Sequence, residues 1–272
     1  MLPEQRSGKT TVKPVARHLL MKLLGSRPGI KMDAASAVRV GALFGISENN
    51  IRVTLTRLQS ANLLKLVERG YYQLGKEGEQ FAAEISSWHT AESRLCEWRG
   101  DWITVLTSAL AKSDRKAIRA QDRALKLLGL KKLSADFYVR PNNLNDSVDT
   151  IRERLYLLGL DKSAIVFNGS DFAKATVKKA SGLWQTKALE TSYEEGLIEL
   201  ARSRKRIDGL SLDDAAKEYY VVGDNALKRL VFDPLLPAPL VNVELRQAFR
   251  AKVEEYDKAG TEVWYEFLNI NK

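Results

Sequence analysis

The stretch that decides the fold is residues 46–58, ISENNIRVTLTRL. Ser47 is a suitable N-cap, because its hydroxyl can accept a hydrogen bond from an otherwise unpaired amide of the first helical turn. At about 100° per residue, Ile51, Leu55 and Leu58 fall on one side of the helix. The stretch therefore predicts an amphipathic helix with a narrow apolar face directed at a core.

The outward face of this predicted helix carries hydrogen-bonding side chains, whereas a solvated surface more often carries Glu and Lys. Amide, hydroxyl and guanidinium groups can bind base edges or phosphates in DNA. The candidate DNA-contacting residues on this helix are therefore Ser47, Asn49, Asn50, Arg52, Val53, Thr56 and Arg57.

Two further helices are predicted before this one. Pro14 suits the first position of a helix that Gly25 ends. Asp33 is a suitable N-cap for a second helix, and Gly45 is suited to follow its last turn. The apolar positions of the first helix are Val15, Leu19, Leu20, Leu23 and Leu24. Two helices joined by a short glycine-containing turn, the second with a polar outward face, are typical of a helix-turn-helix.

A β-hairpin is predicted directly after these helices. The strand-like runs 64–67 (LKLV) and 71–74 (YYQL) flank the tripeptide ERG, where the glycine permits a tight turn. Arg69 and Tyr71 stand at this turn and complete the candidate DNA-contacting set. Helices followed by such a hairpin predict a winged helix-turn-helix, with docking of another protein as the alternative use of the same fold.

The basic charge of the chain is concentrated near its N-terminus. Residues 1–76 hold 13 Lys and Arg against 4 Asp and Glu, a balance of 13 − 4 = +9 that equals the formal charge of the whole chain. A surplus confined to one module is typical of contact with a polyanion, because each neutralised phosphate releases counterions. A solvated basic arm at the N-terminus is the alternative.

Composition is that of an ordinary globular protein. Of the 272 residues, 44% are hydrophobic and 28% are charged, and no apolar run is long enough for a signal peptide or a membrane span. The single cysteine, Cys96, cannot form an internal disulfide, which favours a reducing compartment. We therefore expect a cytoplasmic protein without a membrane partner.

Enzymatic chemistry has little support in the sequence. His18 and His89 are the only histidines, and we find no phosphate-binding loop, dinucleotide-binding turn, serine-nucleophile elbow or clustered metal ligands. We therefore expect no catalytic residue, no metal and no cofactor. A nucleic-acid-processing enzyme that uses carboxylates alone is the alternative.

Residues 98–170 predict a β-α-β-α-β order. The extended run 133–140 can split into two strands, which makes the arrangement ferredoxin-like. Cations cluster at the start of the first helix, at Arg115, Lys116, Arg119 and Arg123. Because Asp114 and Asp122 offer local ion pairs, we interpret these cations as a solvated face, with a second DNA site as the alternative.

Residues 171–272 predict mainly helices. Three prolines between 233 and 239 enforce an extended corner, and two helices are expected after it, over 244–257 and 261–268. A basic cluster ends an earlier helix, where cations interact favourably with the helix dipole. The alternative is binding of effector phosphates, for which the candidates are Arg202, Arg204 and Arg206.

The predicted fold class is thus α+β: a winged helix-turn-helix over 1–85, a ferredoxin-like α/β sandwich over 98–170 and a mostly helical domain over 171–272. In this order the domains resemble the PaaX family of repressors of aromatic-acid catabolism, best known from phenylacetate degradation. The matching stretches are GISENNIRVTLTRLQSANLL with GYYQLG, the run WITVLTSALAKSDRKAIRAQDRALKLLGLKKLSADFYVRP, and FDPLLPAPL. The resemblance implies a homodimeric repressor of a catabolic operon, bound to double-stranded operator DNA and released by an effector such as an aryl- or acyl-CoA thioester.

The central domain is also similar to small CRISPR-associated nucleases of ferredoxin-like fold. Those proteins place a metal-binding aspartate near the end of the first strand, and this chain has Ala109 at about that place, with Asp114 several residues later. An alanine cannot ligate Mg²⁺. The resemblance therefore implies a structural or dimerising role for this domain rather than nuclease activity.

Overall fold

The computed structural model describes residues 14–67, 70–107 and 114–270 and has a mixed α+β architecture. The helices are α1 (Ala16–Leu24), α2 (Ala34–Leu43), α3 (Glu48–Ser60), α4 (Lys76–Ser86), α5 (Arg115–Leu127), α6 (Val148–Leu158), α7 (Lys174–Ser181), α8 (Thr186–Ile207), α9 (Leu212–Val231) and α10 (Val243–Leu268). The strands are β1 (Met32–Asp33), β2 (Leu64–Val67), β3 (Tyr71–Leu74), β4 (Trp102–Leu106), β5 (Lys131–Ser134), β6 (Phe137–Pro141) and β7 (Ile165–Gly169). Over these ranges, no helix has the length and apolar character needed to span a membrane.

The chain divides into two compact units. The described residues of Met1–Ser86, Ser211–Lys217 and Val263–Lys272 form unit 1, and those of Ser87–Leu210 and Glu218–Glu262 form unit 2. Unit 1 thus includes two short C-terminal stretches in addition to the N-terminal module of the sequence analysis.

Unit 1 contains α1–α4 and a three-stranded antiparallel sheet in the order β1-β3-β2. The predicted cap of α2 is confirmed, because Asp33 Oδ1 accepts a hydrogen bond from the Ser36 amide at 2.7 Å. The apolar face of α1 is confirmed except at Val15, which precedes the helix and is 71% exposed. The helices close over a core that includes Leu19, Leu20, Leu24, Ala37, Val40, Ile51, Leu55 and Leu64.

A close approach of α2 and α3 depends on a glycine. A Cβ built on Gly41 would lie 2.6 Å from Ile51 Cγ1 and 2.8 Å from its Cδ1, well inside contact distance. Ile51 itself is fully buried. Gly41 therefore sets how deeply α3 packs against α2, and with it the direction in which the exposed face of α3 points.

Unit 2 contains a four-stranded antiparallel sheet in the order β5-β6-β4-β7, and its elements follow one another as β4-α5-β5-β6-α6-β7. The extended run after α5 is split into two strands, as the sequence allows, at Asp136, which has a positive φ of 57°. Side chains of the sheet and of α5 and α6 share one core, which includes Ile103, Val105, Leu125, Ile151, Leu155 and Val166.

A buried arginine joins this sheet to its surroundings. Arg140 is 2% exposed and donates hydrogen bonds to the carbonyls of Pro141 (3.0 Å) and Leu128 (2.6 Å) and to Asn143 Oδ1 (2.9 Å). Burial lowers the pKa of this guanidinium to about 10. Its hydrogen bonds to neutral oxygens offset part of the cost of burying the charge.

The C-terminal part of unit 2 differs from expectation in one respect. The prediction of two final helices is wrong, because α10 runs without interruption from Val243 to Leu268. Gly260, where a break was expected, faces the ring of Tyr219, and a Cβ there would lie 3.0 Å from Tyr219 Cδ1. The glycine lowers helix propensity by roughly 1 kcal/mol, but this local preference is overridden by tertiary packing.

The proline-containing corner between α9 and α10 is held by buried side chains. Asn143 Nδ2 donates to the carbonyl of Leu235 at 2.8 Å, and Arg246 donates to the carbonyl of Leu236. Arg246 is 1% exposed and forms an ion pair with Glu92, with 2.8 Å between Nε and Oε1. Tyr193 OH donates to Asp233 Oδ2 at 2.6 Å. The corner is irregular in backbone but fixed in position within unit 2.

Candidate nucleic-acid interface

Helix α3 is positioned by its cap and its apolar stripe. The Ser47 side chain accepts a hydrogen bond from the Asn50 amide at 3.4 Å, so the predicted N-cap is confirmed. Ile51, Leu55 and Leu58 are at most 2% exposed, so the predicted stripe is also confirmed. With these three side chains in the core, the opposite side of α3 faces solvent.

The predicted contact residues of α3 all lie in this exposed part of the helix, including the apolar Val53, which is 39% exposed. Besides Ser47, the N-cap, three of them form local bonds. Arg52 Nε pairs with Glu48 Oε1 at 2.8 Å, and Thr56 Oγ1 donates to the Arg52 carbonyl at 3.2 Å. Asn50 Oδ1 accepts from Thr54 Oγ1 at 3.3 Å. The exposed residues are Ser47, Asn49, Asn50, Arg52, Val53, Thr56 and Arg57.

Several donors on this face remain available to a ligand. Within the described ranges, the side chains of Asn49 and Arg57 form no hydrogen bond or ion pair. The Arg52–Glu48 pair is more than half exposed on both sides, and such surface pairs contribute only about 0.3–0.5 kcal/mol. Exchange of Glu48 for a phosphate as the partner of Arg52 therefore costs little.

The hairpin lies next to α3 along the chain and is formed by the predicted strands. Leu64 pairs with Leu74 and Val67 with Tyr71, in antiparallel register. Tyr71 is 38% exposed and also pairs with Asp33 of β1. Arg69, the other candidate at this turn, lies outside the described residues.

The candidate effector residues at the end of α8 are largely engaged within unit 2. Arg204 donates to the hydroxyl of Tyr219, and Arg206 forms an ion pair with Glu218. Between them, the buried Ser203 hydroxyl bonds Glu218 Oε1 at 2.7 Å and Tyr256 OH at 2.6 Å. Arg202 is exposed and has no such partner in the part of the chain that the structure describes.

These contacts tie α8, α9 and α10 together within unit 2. Two of the three candidate arginines therefore have a structural role, whether or not they also meet a ligand. Their involvement could not be predicted from the helix end alone, because Tyr219 and Glu218 lie on the following helix.

The position compared with the nuclease aspartate, Ala109, lies outside the described residues. Asp114, the nearest candidate, caps α5: its Oδ1 accepts from the amides of Ala117 (3.1 Å) and Lys116 (2.8 Å). These amide hydrogen bonds lower the pKa of the Asp114 carboxyl. Among the residues that can be described, no three or more His, Cys, Asp and Glu side chains form a group able to hold a metal ion.

Sequence reasoning missed one feature of unit 1. The Arg39 guanidinium lies over the ring of Phe267, 4.4 Å from its centroid, and Arg27 lies 5.7 Å from the centroid of Tyr265. Cation–π contacts of this kind contribute about 0.5–1 kcal/mol at exposed sites. No local signal marks them, because the partners are more than two hundred residues apart in sequence.

Comparison with known proteins defines the fold but not the activity. No family model matches the chain, and no curated protein matches it. Among solved structures, the chain is similar to the uncharacterized protein Rv0674 from Mycobacterium tuberculosis. The two are 20% identical with a TM-score of 0.63, over 94% of this chain and 99% of the other. At this identity the likeness extends to the fold, and the chain shares its α+β architecture with that protein over nearly its whole length.

Proposed function

We propose that the protein is a cytoplasmic transcriptional regulator that binds operator DNA through a winged helix-turn-helix in unit 1. In this proposal α2 and α3 are the two helices of the motif, α3 enters the major groove, and the β2–β3 hairpin is the wing. The observation that carries the proposal is the two-sided character of α3. Its apolar side is buried, and its other side exposes amide and guanidinium donors at Asn49 and Arg57.

The charge distribution supports the same proposal. The surplus of +9 within residues 1–76 surrounds this helix in sequence, and cations near a recognition helix supply the phosphate contacts that position a protein on duplex DNA. Docking of another protein would not require such a surplus. The basic charge therefore favours DNA as the partner.

The proposal extends to the rest of the chain. We interpret the β4-α5-β5-β6-α6-β7 order and the strand order β5-β6-β4-β7 as a ferredoxin-like sandwich, and we assign this part a role in a homodimer. Together with the resemblance to the PaaX family, this describes a repressor of a catabolic operon. Its effector would be a small molecule such as an aryl- or acyl-CoA thioester, with Arg202 as the candidate arginine that the described residues leave without a partner.

A binding-site selection from random duplexes tests the proposal with the full-length protein. We expect one sequence motif to be enriched, and we expect Arg57→Ala to lose discrimination at one base position, at a cost of about 1–3 kcal/mol, because an arginine can bond guanine with two donors. Arg17→Ala is the matched control: Arg17 is an exposed arginine of α1, outside the proposed contact face. Its loss should weaken binding evenly across sequences or not at all.

Two results would contradict this assignment. An even loss of affinity on all sequences for Arg57→Ala would make Arg57 a phosphate contact instead of a base contact. The absence of any enriched motif, together with no duplex binding at low salt, would remove DNA as the partner and favour docking of another protein.

A further inference from the structure

Helix α5 of unit 2 carries a concentration of positive charge. Its 13 residues include Arg115, Lys116, Arg119, Arg123 and Lys126 but a single acidic residue, Asp122. At about 100° per residue these five cations fall within an arc of about 100°. All five are exposed, while the other side of the helix buries Ala124 and Leu125 in the core. The helix therefore presents one continuous basic stripe to solvent.

The cations of the stripe have no close ion-pair partner among the acidic residues next to them. Within the described residues, neither Asp114 nor Asp122 forms an ion pair with any of these cations, and Asp114 instead caps the helix through the amides of Lys116 and Ala117. Lys116 lies close enough to the Asp114 carboxylate for an electrostatic interaction, and Lys126 Nζ lies 4.9 Å from the ring centroid of Phe232. The local pairs that would make this a merely solvated face are absent from the part of the chain that is described.

Four other helices contain ion pairs between their own residues. Ion pairs three or four residues apart occur within α3, α6, α9 and α10, for example Lys228 with Asp224 and Arg250 with Glu254. In α5, Arg115, Arg119 and Arg123 instead follow one another at intervals of four residues. Like charges at this spacing destabilise a helix.

The start of α5 is unfavourable for a second reason. Arg115 and Lys116 occupy the first turn, and no acidic residue lies there, although the positive end of the helix dipole disfavours cations. A segment that breaks two local rules without a visible gain in stability is a candidate for function. A polyanion bound along the stripe would relieve both the repulsion between neighbouring cations and the repulsion between the cations and the positive end of the helix.

We infer that the basic stripe of α5 is a second DNA-contact surface, one that binds the phosphate backbone of a duplex without reading its sequence. It goes beyond the recognition helix of the proposed function, and it rests on that function only for the identity of the polyanion. The three arginines span about 12 Å of helix axis, and each DNA strand carries one phosphate per about 3.4 Å. Arginine suits this partner, because its planar fork of donors matches phosphate oxygens.

The test uses the full-length protein and duplexes of random sequence, with affinity measured by fluorescence anisotropy over a series of salt concentrations. The stripe variant carries Arg115→Gln, Arg119→Gln and Arg123→Gln. The control variant carries Lys174→Gln, Lys178→Gln and Lys179→Gln, which removes the same charge from exposed positions of α7 in the same unit. We expect the stripe variant to bind at least about tenfold more weakly at 0.1 M salt. Its plot of log K against log salt should be shallower by about 2–3, since each phosphate contact contributes about 0.9 to that slope.

The melting temperature of the stripe variant shows whether a loss of affinity comes from misfolding. The stripe variant relieves like-charge repulsion, so its melting temperature should equal or exceed that of the unmodified protein. A slope equal to that of the unmodified protein, or one reduced equally in the α7 control, would overturn the inference. The inference would also be overturned if the stripe variant lost binding to vesicles of anionic lipid while its duplex binding stayed unchanged, because the partner of the stripe would then be a membrane surface.

Failure of this inference is distinguishable from failure of the proposed function. If α3 reads DNA and the stripe does not contact it, Arg57→Ala changes base preference while the stripe variant binds as the unmodified protein does. If the stripe binds duplex and α3 does not read it, the stripe variant loses affinity and no sequence motif is enriched for the unmodified protein.

Discussion

The buried carboxyl of Asp233 makes the stability of the folded protein depend on pH. Burial, the largest effect, raises the pKa of Asp233 above its ordinary value of 3.8, although Tyr193 and the Leu235 amide donate hydrogen bonds to it. A raised pKa means that the folded protein holds this proton more tightly than the unfolded chain does. The stabilising contribution of Asp233 is therefore complete below pH 3.8 and is lost as the pH rises through the raised value.

We expect Asp233→Asn to reveal this dependence. The free energy of unfolding of the unmodified protein, minus that of the variant, should fall with rising pH by up to about 1.4 kcal/mol per pH unit, then level off. Urea unfolding of both proteins at several values between pH 4 and pH 9 measures the difference, since all other titrating groups are common to both. A difference independent of pH would show that the folded and unfolded states hold this proton equally.

At the scale of elements, the contact of α2 with α3 rests on Gly41. We expect Gly41→Ala to lower the free energy of unfolding by about 1–3 kcal/mol, because the new methyl group overlaps Ile51, even though alanine has the higher helix propensity. Ile51→Ala removes the overlapping atoms, so the double variant should lose less than the sum of the two single losses. Chemical denaturation of the four proteins gives this coupling directly.

Gly223→Ala provides the matched control. Gly223 lies inside α9, and the nearest atom to a Cβ built there, Tyr256 Cε1, is 3.6 Å away, an ordinary contact. This substitution should therefore stabilise the protein by about 0.5–1 kcal/mol. Stabilisation by Gly41→Ala as well would mean that the α2–α3 contact yields easily and does not fix the direction of α3.

The elements that sequence predicted well are those with strong local signals. Asp33 and Ser47 cap α2 and α3 at the positions where their side chains can reach the amides of the first turn. The stripe of α3 follows equally from spacing alone. Local chemistry was sufficient in each of these cases.

Features that depend on distant partners could not be predicted. The continuity of α10 past Gly260 depends on Tyr219, and the engagement of Arg204 and Arg206 depends on residues of α9. The charges of α5 were interpreted from Asp114 and Asp122 nearby, but the structure uses Asp114 as a cap. Proximity in sequence does not predict the partner of a side chain when that partner lies on another helix or strand.

For the whole molecule, the proposed function predicts reciprocal linkage between effector and DNA. We expect two copies on a pseudo-palindrome with half-sites about 10 bp apart or a multiple of this, and a CoA thioester that binds more weakly when operator is present. Because a ligand acts only through its difference in affinity for two states, DNA must weaken ligand binding by the same factor by which ligand weakens DNA binding. Calorimetric titrations of CoA thioesters with and without operator, and of operator with and without thioester, measure the two factors separately.

The arginines at the end of α8 separate ligand binding from stability in this experiment. Arg202→Ala should weaken thioester binding without changing the melting temperature, since Arg202 is exposed, whereas Arg206→Ala should lower the melting temperature by removing the ion pair with Glu218. Thioester binding that is unchanged by operator would remove the switch from the proposal. A single copy bound to an asymmetric site would remove the dimer.

The corner between α9 and α10 has a consequence for the susceptibility of the chain to proteolysis. Irregular segments that link helices are ordinarily where proteases cut, because a cleavage site must detach and extend before it fits an active site. Here Leu235 and Leu236 have their carbonyls bonded by buried side chains, so that detachment requires Asn143 and Arg246 to give up their partners together. Cutting then depends on how often this part of unit 2 opens. We therefore expect limited proteolysis to spare this stretch as long as that part of unit 2 stays folded, although its three prolines and irregular backbone resemble a flexible linker in sequence.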